Sequence, residues 1–226
     1  KGEKAMIKAV IFDMDGVMID SERLYREACM EIVSRYGGTV TPELFDKQMG
    51  LKMEETQRVV VEIARLPLTP QEFGRMYIER FLEIARERLG PNPGLVELLE
   101  FLSPRVKLGI ASSTEKSVIM EIVEQIGVGR YFQTIVGGDE ISRSKPDPAI
   151  YLHAASLLGC DPEECIVIED SPNGIKSGTA AGMEVFAVLH DENRHLDLSG
   201  AGKVFENLVE VGEYLRRRDG LSSRRC

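Results

Sequence analysis

The chain has little cysteine, no surplus of positive charge, no long apolar run and few histidines. Each shortage excludes something. Cys29, Cys160, Cys165 and Cys226 are too few and too scattered for a disulfide framework. The Cys160–Cys165 pair has no downstream Cys or His pair to complete a zinc site. His153, His190 and His195 show no ligand spacing, and the plain expectation for them is no functional role. No apolar stretch approaches the roughly 18 residues of a membrane helix, and no signal-peptide core follows the first residues. A net charge of −9 gives no cationic field for nucleic acid or an anionic membrane. The tail from Tyr214 runs the other way, with five arginines against Asp219, but it is short and reads as solvated. A monomeric cytoplasmic protein is expected. What remains is ordinary for a soluble globular enzyme: 226 residues, 43% hydrophobic and 29% charged, enough to bury a core without staples.

Hydrophobic periodicity organises the chain. Ile7 to Phe12 is an apolar, β-branched run that reads as a buried strand and ends abruptly in Asp13-Met14-Asp15-Gly16. From Ser21, the apolar residues Leu24, Tyr25, Ala28, Cys29, Ile32, Val33 and Tyr36 recur at helical spacing until Gly37-Gly38. Thr41-Pro42 reads as a second helix start, and another helical stretch runs from about Met53 to Leu66. Thr69-Pro70-Gln71-Glu72 is a capping box opening a helix with Phe73, Met76, Tyr77, Phe81 and Ile84 on one face, which ends by the Pro-Gly segment 90–94.

Strands are then expected at Val106–Ala111, Thr134–Val136, Cys165–Ile168, Val185–Leu189 and Lys203–Phe205, with helical patterns near 115–127, 148–158, 172–181 and 207–217. Such alternation predicts a doubly wound α/β fold, a parallel sheet covered on both faces. One crossover needs one helix, whereas about four lie between the first two strands. The excess predicts an α-helical cap at 21–90 inserted into a Rossmann-like core of 1–20 and 91–226.

In open parallel sheets, ligands bind beyond the carboxyl ends of the strands. Polar groups stand at four such places: Asp13 and Asp15; Ser112-Ser113-Thr114; Lys145 within Ser144-Lys145-Pro146-Asp147-Pro148; and Glu169-Asp170. Each alone could be a turn former or helix cap, as Asp147 is for the helix at Pro148, or Asp170 or Ser171 for that at Pro172. Together the four carboxylates would repel one another strongly unless a divalent cation and Lys145 intervene. All-oxygen donors point to Mg²⁺ rather than zinc.

These four groups, in this order, resemble the motifs of the haloacid dehalogenase superfamily of hydrolases. The resemblance covers nearly the whole chain, including a helical cap between the first and second motifs. It implies that Asp13 is the nucleophile that forms an aspartyl-phosphate and that Asp15 is the general acid and then the general base. Asp13, the Asp15 carbonyl, Glu169 and Asp170 would hold Mg²⁺. Ser112, Ser113 and Lys145 would grip the phosphoryl oxygens. Asp15 argues against a dehalogenase, which needs neither a second aspartate nor a metal.

Three functions stay open. A β-phosphoglucomutase-like mutase would carry a His and an aromatic residue early on the first cap helix, where this chain has Tyr25 and Cys29. It would also bind the distal phosphate with an Arg where Met53 stands, though the adjacent Lys52 offers a charge without the bidentate fork. A receiver-like phosphate binder would place its acceptor Asp after the third strand and lack a helical insertion. The segments Asp20-Ser21-Glu22-Arg23-Leu24-Tyr25 and Gln48-Met49-Gly50-Leu51-Lys52 look most like phosphatases of the pseudouridine-5′-phosphate type. The resemblance therefore favours a phosphatase for a small polar phosphomonoester, a sugar or nucleoside monophosphate. Tyr25 and Lys52 are its candidate specificity residues.

Overall fold

The computed structural model describes residues 6–41 and 53–218. The chain divides into two compact units, Lys1–Asp20 with Gly90–Cys226, and Ser21–Leu89. The expected helix start at Thr41-Pro42, the segment around Lys52 and the end of the basic tail lie wholly or partly outside the described residues.

The first unit is built on a six-stranded sheet of β1 (Ala9–Phe12), β2 (Lys107–Ala111), β3 (Thr134–Val136), β4 (Cys165–Glu169), β5 (Glu184–Val188) and β6 (Lys203–Phe205). All pairings are parallel and the order is β3-β2-β1-β4-β5-β6. Every residue of β1 and β4 is buried, which is why these strands read as continuous apolar runs and not as alternating ones. The register aligns Phe12 with Ile110 on one side and with Ile168 on the other. The residues that follow, Asp13, Ala111 and Glu169, therefore emerge level with one another. Strand order reverses between β1 and β4, so this crowded edge is also the crevice where open α/β sheets bind ligands.

The helices of this unit are α4 (Leu95–Leu102), α5 (Lys116–Gln125), α6 (Ala149–Leu158), α7 (Pro172–Ala180) and α8 (Leu208–Arg217). Helix α6 lies against β1, β2 and β3, α7 lies against β4 and β5, and α4 pairs with α8. Ile150, Tyr151, Ala154, Ala155 and Leu158 of α6 join Ile11, Val167 and Val185 of the sheet in one core cluster. Helix α4 is the crossover element that the periodic pattern did not reveal. Its sequence LVELLEFL makes only about two turns, with Leu95, Leu98, Leu99 and Leu102 buried on one face and Glu97 and Glu100 exposed on the other. The tail is also anchored where it begins. The Tyr214 ring meets Phe186 and Phe205 at 5.6 and 5.5 Å, and Arg218 pairs with Glu184 at 2.7 Å.

The second unit holds α1 (Glu22–Arg35), α2 (Met53–Ile63) and α3 (Pro70–Arg88), with α1 and α2 both packed on α3. Tyr25 stacks on Phe81 with centroids 3.7 Å apart, and Phe73 stacks on Tyr77 at 5.5 Å. Arg80 makes a forked pair with Glu31 at 2.6 and 3.1 Å, and its side chain is about one-third exposed. Such pairs contribute less to stability than the stacked rings do. The expected capping box is present: Thr69 accepts from the Glu72 N–H and the Glu72 carboxylate accepts from the Thr69 N–H. Thr69→Ala is expected to cost about 1 kcal/mol, read as a lower urea midpoint with unchanged slope. An unchanged midpoint would mean that packing alone starts α3.

Candidate active site

Asp13 is the first residue after β1, and its N–H still donates to Ile168 of β4 (2.9 Å). The chain then turns tightly through Gly16, which sits at φ +79°, a conformation that side chains other than glycine resist. Lys145 arrives from the loop after β3, and its side chain is only 7% exposed. An ammonium has three protons, and here each has an acceptor: Asp13 Oδ1 (2.5 Å), Glu169 Oε1 (2.7 Å) and the Ala111 carbonyl (3.2 Å).

Glu169 ends β4 with no exposed surface. Its Oε1 accepts from Lys145 and from the Tyr151 hydroxyl (2.8 Å). Its Oε2 accepts from the Asp170 and Ser171 N–H groups, both at 2.9 Å, and from Ser171 Oγ (3.0 Å). Ser171 in turn caps α7 by accepting from the Gly174 N–H (3.0 Å). Asp170 takes a different partner, His190, whose Nε2 lies 2.9 Å from Oδ2.

Burial and charge pull these groups apart electrostatically. Desolvation raises the Asp13 carboxyl well above its usual range, against the pull of Lys145. Burial alone would lower Lys145, but Asp13 and Glu169 outweigh it and hold the ammonium firmly charged. Burial likewise opposes ionisation of Glu169, yet Lys145 and the Ser171 N–H bring its carboxyl below the usual value. Asp170 is pushed up to about 7 by burial, with the hydrogen bond from His190 opposing the rise. The cluster thus sets three carboxyl groups against a single ammonium, and burial resists full ionisation of Asp13 and Asp170 without further positive charge. Asp13, Glu169 and Asp170 each offer an oxygen within 4.8 Å of the others. Three hard oxygen donors whose ionisation calls for added positive charge fit a small divalent cation, and the donor set contains no sulfur.

Asp15 stands beside this cluster. Its Oδ2 accepts from Thr114 Oγ1 at 2.8 Å, while Ser112 Oγ is at 3.4 Å, too far for a strong bond. Ser112 is buried and its hydroxyl accepts from the Thr114 N–H (3.1 Å). Of the expected residues, the fold brings Asp13, Asp15, Ser112, Lys145, Glu169 and Asp170 to one sheet edge. Ser113 follows the same strand but is exposed, and its neighbour Thr114 makes the contact to Asp15. Tyr25 lies in the helical unit, stacked on Phe81, and Lys52 lies outside the described residues.

Three groups at the site were not anticipated: Tyr151, His190 and Asn193. A tyrosine with no exposed surface on an apolar helix needs a partner for its hydroxyl, which is a signal that sequence carries. His190 shows no ligand spacing in the sequence, yet it follows β5 almost immediately, so the strand-end rule that locates the other groups also applies to it.

Comparison with known proteins fits this geometry. The profile of the haloacid dehalogenase-like hydrolases matches residues 10–188, most of the chain. The phosphorylated carbohydrates phosphatase of Thermotoga maritima is 36% identical over 200 residues, covering 88% of this chain and 93% of the relative. A Drosophila melanogaster protein named a probable pseudouridine-5′-phosphatase is 32% identical over 207 residues, covering 88% of this chain and 89% of that one. Among solved structures, CbbY from Rhodobacter sphaeroides in complex with phosphate superposes with a TM-score of 0.82 at 25% identity, covering 92% of this chain and 97% of the other. The chain belongs to the haloacid dehalogenase-like hydrolase family and is a phosphatase within it.

Proposed function

We propose that this chain hydrolyses a small phosphomonoester of the sugar or nucleoside monophosphate type through an aspartyl-phosphate on Asp13. The observation that carries the reading is the buried Asp13–Lys145–Glu169 ion cluster at the switch point, with Asp15 beside it. A carboxylate can attack a dianionic phosphate only where positive charge offsets the repulsion. Lys145 supplies part of that charge, and Glu169, tied to it and to Tyr151, holds the ammonium in place. Asp13, the Asp15 carbonyl, Asp170 and Glu169 would hold Mg²⁺. When bound, Mg²⁺ would supply charge neutralisation at the phosphoryl oxygens. Five donors already occupy the Glu169 oxygens, so of these carboxylates it has the least capacity left for a metal contact.

In the first step an Asp13 oxygen bonds to phosphorus as the bond to the leaving oxygen breaks, and Asp15 donates its proton to that oxygen. Thr114 Oγ1 donates to Asp15 Oδ2 and so fixes the orientation of that carboxyl. In the second step Asp15 takes a proton from water while the water oxygen attacks phosphorus. The bond between Asp13 and phosphorus then breaks, which restores the carboxylate and releases inorganic phosphate. Ser112, Ser113 and Lys145 are assigned to the phosphoryl oxygens.

The core accepts a phosphoryl group whatever is attached to it, so substrate choice is assigned to the helical cap, residues 21–90, with Tyr25 and Lys52 as candidates. The named substrates of the relatives, phosphorylated carbohydrates and pseudouridine-5′-phosphate, support a small polar ester. We place the enzyme in the cytosol as a monomer without nucleic-acid or membrane partners. In support, no helix among the described residues is long and apolar enough to cross a membrane, and the described cysteines are all free.

The test is a screen of sugar and nucleoside monophosphates with Mg²⁺, run beside a glucose 1-phosphate isomerisation assay. Free phosphate from at least one ester, lost on chelation and with no isomerisation, is the expected result. Efficient isomerisation with little free phosphate would replace the phosphatase with a mutase.

A further inference from the structure

Asp170 is held differently from the other two carboxylates of the cluster. Lys145 reaches Asp13 and Glu169 but makes no hydrogen bond to Asp170. The hydrogen bond that a described side chain makes to the Asp170 carboxylate falls on Oδ2, from His190 Nε2 at 2.9 Å. Gly16 encloses the same oxygen from the β1 side: a Cβ built there would lie 2.3 Å from Oδ2 and 3.0 Å from the imidazole nitrogen. His190 is not itself one of the clustered donors, which are Asp13, Glu169 and Asp170. It touches the cluster from outside, through Asp170.

The His190 main chain is fixed in turn. Asn193, only 2% exposed, accepts from the His190 N–H at 2.9 Å. Its amide then donates to the Asp170 carbonyl and to the Val188 carbonyl, both at 2.9 Å. One side chain thereby ties the backbone of His190, the end of β5 and the backbone of Asp170 to one another. Its carbonyl oxygen and both amide protons are all engaged across this junction.

We propose that His190, held by Asn193, is a positioning residue for Asp170: it occupies Oδ2, leaves the other carboxylate oxygen to a divalent cation, and so sets the affinity of the site for that cation. A carboxylate rotates freely about its Cβ–Cγ bond, and a ligand fixed in one rotamer before binding loses less entropy when the ion arrives. Outer groups that orient a ligand in this way change metal affinity by about 10- to 100-fold when removed. The inference rests on the metal-dependent reading of the site, but its test is binding and not turnover.

The experiment is calorimetric titration of Mg²⁺ into the parent protein, His190→Ala and His190→Gln, with the metal-free melting temperature of each measured alongside. The His190 side chain is only 22% exposed, so the cost of losing the ring is read separately, in the metal-free melting temperature, and His190→Gln keeps most of its volume. His190→Ala is expected to weaken Mg²⁺ binding to the folded protein by about 10- to 100-fold, whatever the metal-free melting temperature loses to the missing ring. His190→Gln, whose amide can donate from a similar distance, is expected to recover most of the affinity. A merely structural histidine would leave the affinity of the folded protein alone, however far the melting temperature moved. An unchanged Mg²⁺ affinity in His190→Ala overturns the proposal, and so does a folded His190→Gln that binds no better than His190→Ala. If His190→Ala does not fold, the glutamine variant decides by the same criterion. Parent protein that binds Mg²⁺ but releases no phosphate would defeat the hydrolytic reading and leave this inference standing. Normal phosphate release with an affinity indifferent to residue 190 would do the reverse.

Discussion

Asp13→Asn is expected to lower kcat by about 10⁴-fold or more, the scale seen when a covalent nucleophile is removed. The carboxamide keeps the shape of the side chain and can still face Lys145, but it has no anionic oxygen to bond to phosphorus. The fold should survive. Desolvation already opposes ionisation of Asp13, so a neutral group there removes a penalty, and Lys145 keeps Glu169 and the Ala111 carbonyl as acceptors. The checks are steady-state phosphate release and a melting curve. Near-parent turnover in the folded variant would remove Asp13 from the role of nucleophile.

Gly174→Ala should produce the largest loss of stability of any single methyl group added near the site. A Cβ at Gly174 would fall 1.6 Å from Glu169 Oε1 and 1.9 Å from its Cδ. That carboxylate cannot swing aside cheaply, because Lys145, Tyr151, Asp170 and Ser171 all donate to it. Displacing it breaks buried charge-assisted bonds or pushes α7 away from β4. Either outcome should cost about 3 kcal/mol or more, visible as a large drop in urea midpoint. Turnover should fall too, since Lys145 loses the partner that positions it. A variant as stable as the parent would mean that α7 and β4 separate more readily than the hydrogen-bond network implies.

Much of this could be read from the sequence because the information is local. Strands of a doubly covered parallel sheet are continuous apolar runs, as Ala9–Phe12 and Cys165–Glu169 are, and the polar residues that end them mark the ligand edge. The Thr69–Glu72 box was visible for the same reason, since both partners lie within one helical turn. Helix α4 is harder to read because it makes only about two turns directly after the Pro-Gly segment 90–94, although Leu95, Leu98, Leu99 and Leu102 keep helical spacing. The network behind the site was hidden for a different reason. Tyr151 meets Glu169 across 18 residues of sequence, and His190 meets Asp170 across 20, through strand order alone. Sequence periodicity specifies which face of an element is buried, but not which neighbouring element supplies the partner. Once β5 is known to lie beside β4, His190 falls at the carboxyl edge with the rest.

The central claim is that a phosphoryl group passes through Asp13, and acid-quenched mass spectrometry tests it most directly. Enzyme mixed briefly with Mg²⁺ and a turned-over phosphomonoester is quenched, digested and examined for a peptide heavier by one phosphoryl group. The account predicts that this mass appears on the peptide containing Asp13, that fragmentation places it on that aspartate, and that Asp13→Asn shows none. A phosphoryl group on any other residue, or phosphate release from an enzyme that never carries one, would contradict it.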